Sequence, residues 1–202
     1  MELEKIKILI VIMKDLKKSK FYEKIIKFVS NFDILNIFPD SKIKTFAELD
    51  NYSDIYQLMP KTVDYVFLLT ESEKNSGHWT LILRRGESFE YFDSYGNSPK
   101  EILGFTPKYM NKILGNDWDS DLGKMIDSIR KKNINFSYNK NALQNIKDFR
   151  IATCGRWCIY RLYKFLIDGD DNAAFIRHMK EQKNGTILTY DEIICIAAPV
   201  WH

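Results

Sequence analysis

Three segments rich in β-branched and aromatic residues follow one another in the middle of the chain, and they restrict the fold more than any other feature. Val63–Thr70 is the first, Trp79–Arg84 the second and Phe89–Asp93 the third. Only Arg85-Gly86-Glu87-Ser88 separates the last two, so those strands must turn back on each other as an antiparallel hairpin. Tyr95-Gly96-Asn97-Ser98-Pro99 then ends the pattern. The flanks read differently. Residues 2–31 repeat apolar side chains at three- and four-residue steps, including Phe21, Ile25, Ile26, Phe28 and Val29, although Ile8–Met13 alone also fits a buried strand. Residues 32–61 are mixed, with turn signals at Pro39-Asp40-Ser41 and Pro60. Residues 100–132 read mostly as helix and Asn135–Tyr138 as a further strand. Cys154–Ile167 reads as a long amphipathic helix with Thr153 as its N-cap, and Ala173–Gln182 and Tyr190–Ala197 as closing helices. Central strands with helices around them define an α+β fold. No repeat or Pro/Gly/Ser-rich linker divides the chain, so residues 1–202 form one domain, with 1–60 a mostly helical N-terminal part and 61–202 the core that carries the chemistry.

A chain of 202 residues that is 45% hydrophobic buries a core without disulfides or a structural metal. Its three cysteines are an odd number with no Cys-x-x-Cys pair, which argues against a disulfide framework and a zinc site and for a reducing, intracellular setting. Ile6–Met13 is the longest apolar stretch, is interrupted by Lys7, and is too short to span a bilayer. It is followed by no signal-peptide cleavage pattern, so a soluble protein is expected. The net charge of +3 is a weak bias. Much of it lies in a lysine-rich N-terminal segment (Lys5, Lys7, Lys14, Lys17, Lys18, Lys20, Lys24, Lys27), which reads as a solvated helix face or as a weak DNA-binding patch.

Only three histidines offer a base. His178 lies inside a charged helix and His202 ends the chain. His78, in Ser76-Gly77-His78-Trp79, sits at the mouth of a strand and can project into a cleft. Asp93 closes the partner strand of the hairpin, so His78 and Asp93 should meet across the ladder, where a carboxylate fixes the imidazole tautomer. An aspartate at that point also serves simply to open a turn. Cys154 stands where a polar segment gives way to an apolar helix, and the N–H groups of a helix N-terminus favour a thiolate. Gly155 beside it would let a substrate backbone approach closely. Cys158 and Cys195 read as small buried core residues. A thiol, a base and a group that orients the base are the requirements of nucleophilic acyl transfer, with N–H donors for the oxyanion. The Cys154 amide is one such donor; Gln144 is either a second or a plain surface amide.

In chain order, Gly77-His78-Trp79, Tyr91-Phe92-Asp93-Ser94-Tyr95-Gly96, Gln144 and Thr153-Cys154-Gly155-Arg156-Trp157-Cys158 resemble the adenovirus-type maturation proteases, within the wider group of ubiquitin-like-protein-specific proteases. The likeness is nearest to members carried by virophages, polinton-like elements and giant DNA viruses. It implies a papain-like, adenain-like fold: a central, mainly antiparallel sheet carrying His78 and Asp93, packed against a helix headed by Cys154. It implies a cysteine endopeptidase with His78 as general base, Asp93 as its orienting acid and Cys154 as nucleophile. Gln144 and the Cys154 amide would form the oxyanion hole, with Trp79 walling the substrate cleft. The implied substrates are viral capsid and structural proteins cut during virion maturation, often after glycine, in the virion and the viral factory of the host cytoplasm. Neither metal nor organic cofactor is implied, no membrane is involved, and a monomer is expected. The Gln144–Cys154 gap is longer than in the family pattern, which leaves Asn145 as the substitute donor. No cysteine matches the position that anchors the adenovirus enzyme's activating peptide, so that partner is not carried over. Two rivals stand beside this reading: an isopeptidase acting on ubiquitin-like modifiers, and a non-catalytic scaffold that binds capsid or DNA.

Overall fold

The computed structural model describes residues 21–116, 122–132, 134–148 and 150–198. The helical reading of residues 2–20, most of the lysine-rich segment and His202 lie outside them; residues 21–25 are helical. The core is a five-stranded mixed sheet in the order β1 (Lys42–Thr45), β2 (Tyr65–Glu73), β3 (Ser76–Arg85), β4 (Ser88–Phe92), β5 (Phe136–Tyr138). The three central strands are antiparallel, and β1 and β5 are added to the edges in parallel. The fold is α+β, as expected. Strand β1 was not foreseen. Lys-Ile-Lys-Thr is polar and short, and pairing with β2 (Lys42 opposite Val66) fixes it rather than any property of its own.

Alternation along the strands divides the apolar residues between two faces. Phe67, Leu69, Trp79, Leu81, Leu83 and Phe92 pack with Trp157, Cys158 and Leu162 of helix α5 (Cys154–Ile167), together with α6 (Asn172–Asn184) and α7 (Tyr190–Ala197). The opposite face carries Val66, Leu68, Ile82, Phe89 and Tyr91 against α2 (Ile55–Leu58) and α4 (Leu122–Lys131). Helices α1 (Asn31–Ile37) and α3 (Lys108–Leu114), the helical residues 21–25, and short 3-10 helices at Ala47–Asn51 and Glu101–Phe105 complete the set among the described residues. Arg161 on α5 is fully buried and ties that helix to the sheet, donating from Nε and Nη2 to the Glu90 carboxylate at 3.0 and 2.8 Å. A forked guanidinium–carboxylate pair of this kind fixes angle as well as distance.

One helix boundary corrects a local expectation. Thr153 precedes α5, but its backbone is itself helical and its hydroxyl donates to Asp191 Oδ1 at 2.6 Å, so it does not cap the helix. The first N–H groups of α5 are therefore left to other acceptors. Helix α7 opens instead with a capping box between Thr189 and Glu192.

Candidate active site

His78 is the third residue of β3, and its position is set by a tight β2–β3 hairpin. Gly77 faces Glu71 across the ladder, and a Cβ at Gly77 would lie 2.1 Å from the Thr70 carbonyl oxygen. Only glycine lets the strands approach so closely. On the other side, β4 ends at Phe92 and Asp93 follows at once, on the same face as His78 by alternation. The two side chains meet: His78 Nε2 lies 2.6 Å from Asp93 Oδ1. The hairpin therefore brings together the base and acid that its sequence suggested.

Asp93 is completely buried and held by more than the imidazole. Its Oδ1 also accepts from the Tyr95 amide at 3.0 Å, and Oδ2 accepts from the Asn97 side-chain amide at 2.9 Å and the Asn97 backbone at 3.3 Å. Asn139, just beyond β5, accepts from the Asp93 amide at 2.9 Å and donates to its carbonyl at 2.7 Å. The carboxylate is thus aimed before any substrate arrives. The Tyr95 ring lies on the imidazole, with centroids 4.4 Å apart and planes 12° from parallel.

Cys154 is the first residue of α5 and is almost fully buried. Cys154 and His78 line the same cleft, and the sulfur is coupled electrostatically to the imidazole and to the Trp79 and Gly155 backbone. With Nε2 engaged by Asp93, Nδ1 is the ring nitrogen left for the sulfur. Burial resists charge on both groups, but the mutual attraction is stronger. His78 is raised from 6.5 to about 10 against burial by the Asp93 carboxylate and the Cys154 sulfur. Cys154 is lowered against burial by the His78 charge and its hydrogen bonds. These directions describe one coupled thiolate–imidazolium pair. The other thiols move oppositely: burial pushes Cys158 well above its ordinary value and Cys195 up to about 11. Of the three sulfurs, Cys154 alone is shifted toward the thiolate form.

Gln144 is buried, with Oε1 accepting from Ser94 Oγ at 2.8 Å and Nε2 donating to the Ile151 carbonyl at 3.0 Å and the Tyr95 hydroxyl at 3.3 Å. Tyr95 and Ile151 line a cleft of about 560 Å³ with His78, Cys154, Phe28, Ile102, Thr106 and Ile146. Asn145, the alternative donor, is exposed; its side-chain oxygen accepts from the Lys147 amide in a surface turn. Gln144 is the one that bonds residues lining the cleft, Tyr95 and Ile151, although it does not itself line it.

Two expected substrate-contacting residues are placed differently. Trp79 is buried, donates from Nε1 to the Val29 carbonyl at 2.8 Å, and lines an adjoining cavity with Phe28, Val29 and Phe32 rather than the cleft that holds Cys154. The face of Gly155 that would admit a substrate backbone is occupied by Val29, whose Cβ lies 2.5 Å from where a Gly155 Cβ would stand. The close approach there belongs to the chain itself. His178 bonds Tyr160 and Gln182 on the outer helices. Sequence reading missed Tyr95, Asn97 and Asn139. Asp-Ser-Tyr-Gly-Asn does signal a side-chain turn around Asp93, but Asn139 acts across 46 residues and leaves no local trace.

No protein-family model matches the chain. A curated relative, an uncharacterised protein V9 of Sputnik virophage, is 31% identical over 181 residues, which span 89% of this chain and 97% of the relative. Among solved structures, the ASFV pS273R protease is 14% identical with a TM-score of 0.43, covering 88% of this chain and 68% of that one. ChlaDub1 from Chlamydia trachomatis is 16% identical with a TM-score of 0.34, covering 85% of this chain and 75% of that one. Both structural likenesses are remote, and no activity follows from them.

Proposed function

Since the chain belongs to the family of the Sputnik virophage protein V9, we propose that it is a cysteine endopeptidase that processes viral structural proteins during particle maturation. The observation that carries the reading is the buried line Cys154–His78–Asp93, in which one thiol of three is driven toward thiolate. The Cys154 thiolate attacks the scissile carbonyl carbon, and its S–C bond forms as the carbonyl π pair moves onto oxygen. The Cys154 N–H and the Gln144 amide receive that oxyanion, the latter by giving up its longer bond to Tyr95. The imidazolium passes its Nδ1 proton to the departing amine, the C–N bond breaks, and an acyl-enzyme remains. His78 then takes a proton from water, which attacks the thioester and regenerates the thiolate. Asp93 holds the ring in one tautomer throughout.

The site of action on this reading is the assembling particle and the viral factory, and the acting form is a monomer. The lysine-rich N-terminal segment supplies weak DNA attachment. The test is to incubate the protein with the structural proteins of its source and map new termini by mass spectrometry. New termini should form with the wild type and vanish with Cys154→Ala, whose fold is retained. Near-normal turnover by that variant refutes the assignment. Modifier-derived probes serve as the opposing arm, because selective labelling by them, without capsid cleavage, moves the target to ubiquitin-like modifiers.

A further inference from the structure

Tyr95 touches three of the groups assigned above. Its ring covers the His78 imidazole at 4.4 Å with a 12° tilt. Its amide donates to Asp93 Oδ1, the oxygen that His78 Nε2 also meets. Its hydroxyl accepts from Gln144 Nε2. The backbone that carries it is fixed independently. Gly96 adopts φ +77, and a Cβ there would lie 2.8 Å from the Asn141 carbonyl carbon, so the turn is pressed against residues 141–142. The next chain crossing returns to the same place, since the Leu143 and Gln144 amides both donate to the Ser94 carbonyl, at 2.9 and 3.0 Å.

We propose that Tyr95 is a positioning residue of this site, setting the plane of the His78 ring with its own ring and the direction of the Gln144 amide with its hydroxyl. The inference rests on the protease reading. The bond from an aromatic ring to its Cβ has a broad rotational preference. One hydrogen bond to Asp93 therefore leaves His78 free to swing about that contact, carrying Nδ1 away from the sulfur. A parallel ring across one face removes this freedom. The same face carries π-electron density, which favours the imidazolium over the neutral ring and so favours the thiolate beside it. The hydroxyl accepts one of the two Nε2 hydrogens of Gln144 while the Ile151 carbonyl accepts the other, and the Ser94 hydroxyl marks Oε1 as the oxygen. The amide nitrogen is thereby held toward Tyr95 and Ile151, two residues of the cleft wall.

The test uses full-length protein and iodoacetamide, with alkylation of Cys154 followed by mass spectrometry across pH and the Cys158 and Cys195 peptides as unreactive references. Wild type and Tyr95→Phe should share one profile, with Cys154 reactive well below the range of an ordinary thiol. In Tyr95→Leu the acid limb should move to higher pH, and the rate at pH 7 should fall by about three- to tenfold, the scale of a lost ring–cation contact. A folded Tyr95→Leu protein whose limb has not moved overturns the assignment and leaves the protease reading standing. A wild type whose Cys154 is no more reactive than Cys158 removes the protease reading and this inference with it. Should Tyr95→Leu not fold, the wild-type imidazole resonances decide. A nuclear Overhauser contact between the Tyr95 and His78 ring protons supports the stack, whereas its absence in the folded protein refutes it.

Discussion

Replacing Asp93 by asparagine keeps the shape of the side chain and removes its charge. The consequence follows from the partners of each oxygen. In the wild type, His78 is raised from 6.5 to about 10, equivalent to roughly 5 kcal/mol of preference for the imidazolium. Burial works against that preference, and the Asp93 carboxylate is the largest influence in its favour. Without the carboxylate, burial dominates and the ring becomes neutral. The tautomer changes as well. Each Asp93 oxygen faces a backbone N–H donor, and Oδ1 additionally faces His78 Nε2. An asparagine NH2 directed at the imidazole makes Nε2 an acceptor and sends the ring proton to Nδ1, where it blocks proton abstraction from the thiol. Cys154 then behaves as an ordinary or raised thiol. A thiol near 8.5 is only about 3% ionised at pH 7, so alkylation by iodoacetamide should slow by roughly thirtyfold relative to a fully formed thiolate. The fold should lose about 1–3 kcal/mol from the mismatched donors. The assay is the rate of Cys154 modification by mass spectrometry from pH 5 to 9, with circular dichroism to confirm folding. A folded Asp93→Asn protein that alkylates at pH 7 at the wild-type rate refutes the electrostatic account of the site.

Other perturbations probe separate parts of the structure. Gly77→Ala places a Cβ 2.1 Å from the Thr70 oxygen and should cost at least ~1–3 kcal/mol, read as a lower melting temperature, with slowed Cys154 alkylation as β3 shifts. Arg161→Ala leaves Glu90, which is 12% exposed at its side chain, without its cation and should destabilise the protein by about 3–5 kcal/mol in urea unfolding, while Arg161→Met should recover part of that loss. The coupled pair also sets a pH dependence. His78, with its value raised, supports folding fully below 6.5 and loses that support as pH rises through about 10. Cys154, lowered from 9.0, supports folding above 9.0 and loses that support as pH falls through its folded value. From the folded value of Cys154, or from 6.5 if that is higher, up to 9.0 the two slopes oppose each other, so their joint contribution to stability should be flat there, then decline toward pH 10. Denaturation midpoints of the wild type compared with the His78→Gln, Cys154→Ala double variant isolate that contribution.

The parts of the molecule most readable in the sequence were those with a strong internal period. The hairpin formed by β3 and β4 and the helices α5 and α7 carry their own patterns, and α5 and α7 begin and end where the periodicity stops. The juxtaposition of His78 and Asp93 follows from a hairpin and a short turn, both local. What escaped depends on distant partners. Strand β1 has too few apolar residues to announce itself and exists because β2 offers it an edge. Thr153 has the chemistry of a cap, yet Asp191, 38 residues on, takes its hydroxyl. Gly155 is pressed by Val29, a neighbour more than 120 residues away in the chain. Asn139 looks like any turn asparagine until the sheet folds it over Asp93. Local chemistry determines which residues can react, and long-range contacts determine which way they point.

The hairpin that joins His78 to Asp93 lies within one short stretch of chain, whereas the sulfur arrives about 60 residues later. On a ribosome adding about 5–20 residues per second, base and acid can pair several seconds before their nucleophile leaves the exit tunnel. The head of the helix that carries it is also tied to an earlier stretch of chain, since Ala152 bonds the Ile25 carbonyl and Val29 sits against Gly155. Until the stretches around residues 25–29 and 152–155 meet, the paired His78 and Asp93 stand without the sulfur beside them.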